Sequence, residues 1–250
     1  MDSGYYAAFA GLIARTQALD TAASNLANTQ TAGYRAEREY FRSILLDPLG
    51  NDAQTGGSQL GSTVNNFGVL GGDHLDQTQG TLTATGNPLD LALEGQGFFA
   101  IQTPGGVRYT RDGSFHRTRD GQLVAVGGEP VLSNRSLPIP VPPGEVSIGS
   151  DGALSVNGGT VATVGVFTFP AGTQLTPEGK NRLVPPPKVT ATVTTGAVVH
   201  QGALEAANED VIQGSLDLIM MQRQAETMQR ALTIFHTEFN KTATEDLPRV

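Results

Sequence analysis

No cysteine and no tryptophan occur in this chain of 250 residues. The missing thiols exclude disulfides, thiolate metal centres and cysteine nucleophiles, and leave the redox compartment open. Aromatic residues make up 6% and the wider hydrophobic set 38%, which is lean for one compact core of this length. Long apolar runs are missing as well: no stretch approaches the roughly 20 residues that span a bilayer. Met1 to Gly11 has neither a basic leader nor a continuous apolar segment, so no cleaved secretory signal is expected. Positive charge is scarce too. The formal net charge is −8, and the densest basic stretch, Arg35 to Arg42, is interleaved with Glu37 and Glu39. Nucleic-acid binding depends on neutralising phosphates and is not expected.

Catalytic constellations are equally absent. His74, His116, His200 and His236 are dispersed, with no second ligand at metal-binding spacing, and a lone histidine is usually a surface or satisfied residue. Gly95-Gln96-Gly97-Phe98-Phe99-Ala100 fits the loose dinucleotide pattern, yet it leads into a strand-like run and not into the helix N-terminus that would hold a pyrophosphate. Gly179-Lys180 is followed by Asn181, and Gln174 stands where a phosphate loop needs glycine. Asp112 and Asp120 each precede glycine, which is hairpin-turn chemistry before it is acid–base chemistry. Neither an enzyme, nor a cofactor or metal site, nor a small-molecule substrate is expected.

What is plentiful is glycine, at 31 residues, with 14 prolines. Turn dipeptides punctuate the middle of the chain at Gly105-Gly106, Asp112-Gly113, Asp120-Gly121, Gly127-Gly128, Asp151-Gly152 and Gly158-Gly159. Between them lie short strand candidates: Leu89 to Leu93, Phe98 to Ile101, Leu123 to Val126 and Val161 to Phe169. Prolines at 138–143 and 185–187 break the pattern and cannot lie in central strands.

Both ends of the chain read differently. Tyr5, Phe9, Leu12, Leu19, Ala23 and Leu26 recur at alternating steps of 4 and 3, with Thr16 in the missing slot. That is a heptad-like apolar seam on a helix through about Asn28. Val211, Leu218, Met221, Ala225, Met228, Leu232, Phe235 and Phe239 repeat the pattern near the other end, with Gly214 in the open slot. A helix from about Glu205 to Ala243 would be roughly 57 Å long, against a radius of gyration near 13 Å for a β domain of about 120 residues. The segment 34–46 fits helix or extended chain equally.

The expected fold is α+β: long N- and C-terminal helices pair as a coiled-coil-like assembly domain, and a mostly antiparallel, Gly-rich β domain is inserted between them. The expected divisions are 1–46 for the N-terminal helix and assembly segment, 47–80 for an extended connector, 81–200 for the β domain and 201–250 for the C-terminal helix. An amphipathic helix alone in water is marginal. Head-to-tail contact with further copies would grow an open helix, and a self-contained two-helix stalk is the other solution that periodicity allows.

Three ordered stretches carry a resemblance. Ser24-Asn25-Leu26-Ala27-Asn28 through Thr31-Ala32-Gly33-Tyr34-Arg35 is the first; Asn87-Pro88-Leu89-Asp90-Leu91 through Gly97-Phe98-Phe99, with Tyr109-Thr110-Arg111-Asp112-Gly113, is the second; Gln201-Gly202-Ala203-Leu204-Glu205 leading to Asn208 is the third. Together they resemble the flagellar basal-body rod family, and the chain's size and opening look more like its proximal than its distal type. A phage-tail or adhesin-type fibre is the non-flagellar alternative, but a β-fibre has no need of two helical seams. The resemblance implies a subunit that polymerises through its terminal helices and transmits torque from motor to hook. It also implies export through the flagellar type III apparatus without a cleaved signal, a place in the periplasmic rod, and other rod subunits and copies of itself as partners. Asn25, Leu26, Ala27, Asn28, Gly33 and Tyr34 form the implied assembly signature. In it the two asparagines cap the helix end or bond across to a neighbour, and Gly33 turns a segment that is unpacked before assembly.

Overall fold

The computed structural model describes residues 2–42, 69–179 and 181–241. Helix α1 spans Asp2–Ala27. Its buried line is made of small side chains: Gly11, Ala14 and Ala18, followed by Asn25. Steps of three, four and seven keep these on one side of a helix. The bulkier residues of the expected seam lie elsewhere. Phe9 and Ala23 are exposed, Leu12 and Leu19 are half-buried, and the side chain of Tyr5 lies outside the described residues. Spacing alone gave the larger apolar residues the inward place, whereas the buried side is lined by Gly11, Ala14 and Ala18.

The C-terminal helix, α2, spans Val211–Lys241. It begins later than the expected Glu205, because Ala203–Glu205 pairs with Leu82–Ala84 as a strand. Gly214 and Ala225 are buried, and Leu218, Met221, Met228 and Leu232 are half-buried on the same side. Val211 is exposed, and the side chains of Phe235 and Phe239 lie outside the described residues. The opposite side is apolar too, with Ile212, Leu216, Ile219, Met220 and Ile234 all exposed.

The chain divides into two compact units. One holds α1 to Leu26, residues 37–74 and α2; the other holds residues 27–36 and 75–210. In the first, β1 (Glu37–Arg42) pairs with β2 (Val69–Leu75). The segment whose conformation the sequence left open is therefore extended in its described part, and the end of the expected connector is a strand. Residues 43–46 of the N-terminal segment and 47–68 of that connector lie outside the described residues.

The second unit is built from short strands, and every register among them is antiparallel. In chain order from the connector come β3 (Leu82–Ala84), β4 (Leu91–Glu94), β5 (Phe98–Thr103) and β6 (Gly106–Thr110). The β5–β6 hairpin is the middle of a six-stranded sheet, flanked by Val166–Thr168 on one side and Leu183–Val184 on the other. Pro177 sits in the outermost strand of that sheet, where no ladder donor is needed. A three-stranded sheet packs Val146–Ile148, Ala153–Val156 and Gly159–Thr163, with Asn157 and Gly158 both at positive φ in the turn between the last two. The expected strand from Val161 to Phe169 is two strands in two sheets, broken at Gly165, where a Cβ would meet the backbone of Ser133. Leu91, Leu93, Phe99, Phe115, Leu123, Ile139 and Leu154 fill the main core, and Phe99 meets Phe115 edge-on at 5.1 Å.

Candidate functional site

Glu205 ends the strand Ala203–Glu205, with its carboxylate fully buried. One oxygen accepts from the Arg35 guanidinium at 2.7 Å and from the Gly80 amide at 2.9 Å. The other accepts from Arg111 at 3.1 Å. Arg35 also donates to the Thr78 carbonyl, and Arg111 to the carbonyls of Leu93 at 3.2 Å and Gly95 at 2.5 Å. The Arg111 guanidinium lies 5.4 Å above the centre of the Phe98 ring, within cation–π reach. Two cations on one carboxylate are incompletely compensated. Burial pushes the Arg111 guanidinium down to about 10, Glu205 opposes that shift, and the like charge of Arg35 adds to it. Burial lowers Arg35 as well, against the pull of Glu205.

The backbone beside this cluster is tied as closely. Gly33 donates its amide to the Glu205 carbonyl at 2.7 Å and is buried at φ +65°. A Cβ there would lie 2.3 Å from the Arg111 carbonyl carbon and from the Asp112 nitrogen. The expectation of an unpacked Gly33 is thus corrected, because the backbone of the β unit passes directly over it. Asn208 accepts from the Ala36 amide at 2.8 Å and donates to the carbonyls of Asp76 at 2.9 Å and Thr78 at 3.1 Å. Its own amide donates to the Tyr34 carbonyl at 3.3 Å. Residues just after α1 and just before α2 are therefore fastened to each other.

Asn25 works within the helical unit. Its side chain accepts from the Glu37 amide at 3.0 Å and donates to the Glu37 carbonyl at 2.8 Å, as a strand neighbour would. A buried amide is thereby satisfied inside the chain, where capping or a neighbouring subunit was expected. Asn28 accepts from the Thr31 hydroxyl at 3.2 Å through its side chain and from the Thr31 amide through its carbonyl. Leu26 and Tyr34 are half-buried, and Ala27 is exposed.

Sequence reasoning assigned no role to Arg35, Arg111, Glu205 or Asn208, although all four lie in the three matching stretches. The available signal was charge: each stretch has an ionisable residue beside an apolar or glycine-rich run. Their joining could not be read, because Arg111 and Glu205 are 94 residues apart. Among the described residues no group of His, Asp or Glu could hold a metal. His200 faces Glu94 at 2.7 Å in an exposed pair. No described helix is long and apolar enough to cross a membrane.

Comparison with known proteins places these stretches. Residues 6–35 match the family described as flagella basal body rod protein, and residues 92–156 match the flagellar hook protein FlgE/F/G D1 domain. The flagellar basal-body rod protein FlgF of Mesorhizobium japonicum is 33% identical, with 90% of each chain covered. That of Caulobacter vibrioides is 31% identical over 100% of both chains. The rod protein FlgG of Agrobacterium fabrum is 31% identical, covering 89% of this chain and 91% of its own. With three signature stretches meeting at one buried carboxylate and with relatives aligned along nearly its whole length, the chain belongs to the flagellar basal-body rod protein family.

Proposed function

We propose that this chain is a structural subunit of the flagellar rod, of the proximal type, and that it polymerises through α1 and α2. The carrying observation is the cross-linked root of the two helices, with Gly33 on Glu205, Arg35 on Glu205, and Ala36 and Tyr34 on Asn208. The residues that follow α1 and those that precede α2 thus share one buried, hydrogen-bonded junction. The half-buried side of α2 and the small-residue side of α1 suit a coiled-coil-like pair, since small residues allow close helix approach. The β unit forms the outer layer and passes torque towards the hook. Export follows the flagellar type III route without cleavage, and the partners are other rod subunits and further copies of this chain.

Deleting the gene tests this reading. The expected outcome is loss of motility, with isolated basal bodies lacking a complete rod, and recovery of both on complementation. Motile cells with complete rods would overturn it. A distal role is the second reading, favoured by the alignment with relatives named FlgG. It would leave a rod missing only its outer end, whereas the proximal reading predicts a shorter stump.

A further inference from the structure

Beside the buried carboxylate the second unit holds a cleft of about 230 Å³, lined by Arg35 and Arg111 together with Gln77, Gln96, Phe98 and Phe169. A guanidinium has five N–H donors. In Arg111, Nη1 uses both of its own, on Glu205 and the Leu93 carbonyl, and Nη2 uses one on the Gly95 carbonyl. The buried Nε has no hydrogen-bond partner, so Nε and Nη2 keep one donor each. The side chain is only 5% exposed, and a polar group buried without a partner is costly. Charge is out of balance at the same residue. Two guanidiniums against the one carboxylate of Glu205 leave one positive charge in excess. Asp76 favours the charge on Arg35, whereas Arg111 meets the like charge of Arg35. Two spare donors and an unmatched charge are what a carboxylate grips bidentately.

We propose that this cleft receives a carboxylate presented by an acidic segment of another polypeptide, held on Arg111, with an apolar neighbour of the acid against Phe98 and Phe169. The site goes beyond the rod reading and does not depend on it. Volume, charge and walls select the ligand. The cleft is smaller than the roughly 300–1,000 Å³ of cofactor and small-molecule pockets, and suits one or two side chains. Its excess of one positive charge is matched by a carboxylate. A phosphate group carries about −1.5 to −2 and would bring further negative charge up to Glu205. The walls are of two kinds. Gln77 and Gln96 are exposed and offer amide donors to an oxyanion. Phe98 and Phe169, with ring centres 6.0 Å apart, offer an apolar surface. A free acetate would use the first wall and leave the second bare, whereas an acidic residue in a peptide brings its neighbours with it.

Titration of the isotope-labelled full chain with an end-blocked glycine peptide carrying one leucine–glutamate pair is the test, read by NMR. The Arg111 Nε–H resonance and the amides of Gln96, Gly97 and Gly172 should shift together and saturate. The same peptide with glutamine for glutamate should bind about tenfold more weakly or worse, and so should acetate and inorganic phosphate. No shift at the Arg111 Nε–H, or equal binding by the glutamine peptide, overturns the proposal. Acetate or phosphate binding as tightly as the peptide overturns the choice of a polypeptide carboxylate. Arg111→Lys keeps a charge and loses the paired donors, so peptide affinity should fall about tenfold. If that variant does not fold, Gln96→Glu decides, because it alters an exposed residue outside the ion-pair cluster. It sets a like charge at the cleft and should weaken peptide binding about fivefold. Unchanged affinity in Gln96→Glu overturns the site.

Discussion

Glu205 is the carboxylate that ion-pairs with both Arg35 and Arg111, and Asp76 adds a weaker favourable charge beside Arg35. A buried ion pair adds little net stability over apolar packing, but removing one member strands the charge that remains. Glu205→Gln keeps an acceptor for the Gly80 amide and removes the charge from between Arg35 and Arg111. Urea unfolding of the purified protein should register a loss of about 3–5 kcal/mol. A loss below about 1 kcal/mol is what a solvent-exposed pair would give, and would mean that water reaches the cluster. Gly33→Val is the second residue-scale prediction. The new side chain would meet the Arg111 and Asp112 backbone and would hold valine at a φ it rarely adopts. A fall of several degrees in the melting temperature of the monomer is expected. Unchanged melting with impaired rod growth would return Gly33 to a role confined to assembly.

At the scale of elements, the helices were legible as helices and their orientation was not. Alternating steps of three and four identify an apolar line, but α1 and α2 each have two, and a pattern cannot say which one faces inward. On α1 the small residues Gly11, Ala14 and Ala18 take the inner side and Phe9 is exposed, so hydrophobicity alone misleads there. On α2 the inward side includes Leu232, half-buried. Leu232→Asp places a carboxylate in an apolar helix contact and should block rod assembly. The β unit should keep its thermal transition, because its core does not include this residue. Motility equal to wild type would remove this face from the assembly surface. Asn25→Ala is the local counterpart. It leaves the Glu37 amide and carbonyl without their side-chain partner, so exchange at the Glu37 amide should quicken while global melting moves little.

For the whole molecule, the sequence marked the order of parts: helix, glycine-rich strands, helix. Turn dipeptides such as Gly105-Gly106 and Asp151-Gly152 do separate strands, since their chemistry is local. The six-stranded sheet was not readable, because its order interleaves Val166–Thr168 and Leu183–Val184 with the β5–β6 hairpin. The junction was invisible for the same reason: its members meet only through distant pairing. In dilute monomer, amides of α1 and α2 should exchange quickly and those of β5 and β6 slowly, because the helices lack the neighbours that assembly supplies. Strong protection of both helices in a verified monomer would favour the self-contained stalk.

The buried carboxylate also has a meaning in time. Arg35 and Arg111 precede it in the chain, and the Ala36 amide waits for Asn208 across 172 positions. A chain emerging from its N-terminus holds two arginines that cannot be buried cheaply until residue 205 has arrived. A copy cut short of residue 205 lacks that anion, and Arg35 and Arg111 are then left without the carboxylate that pairs with both.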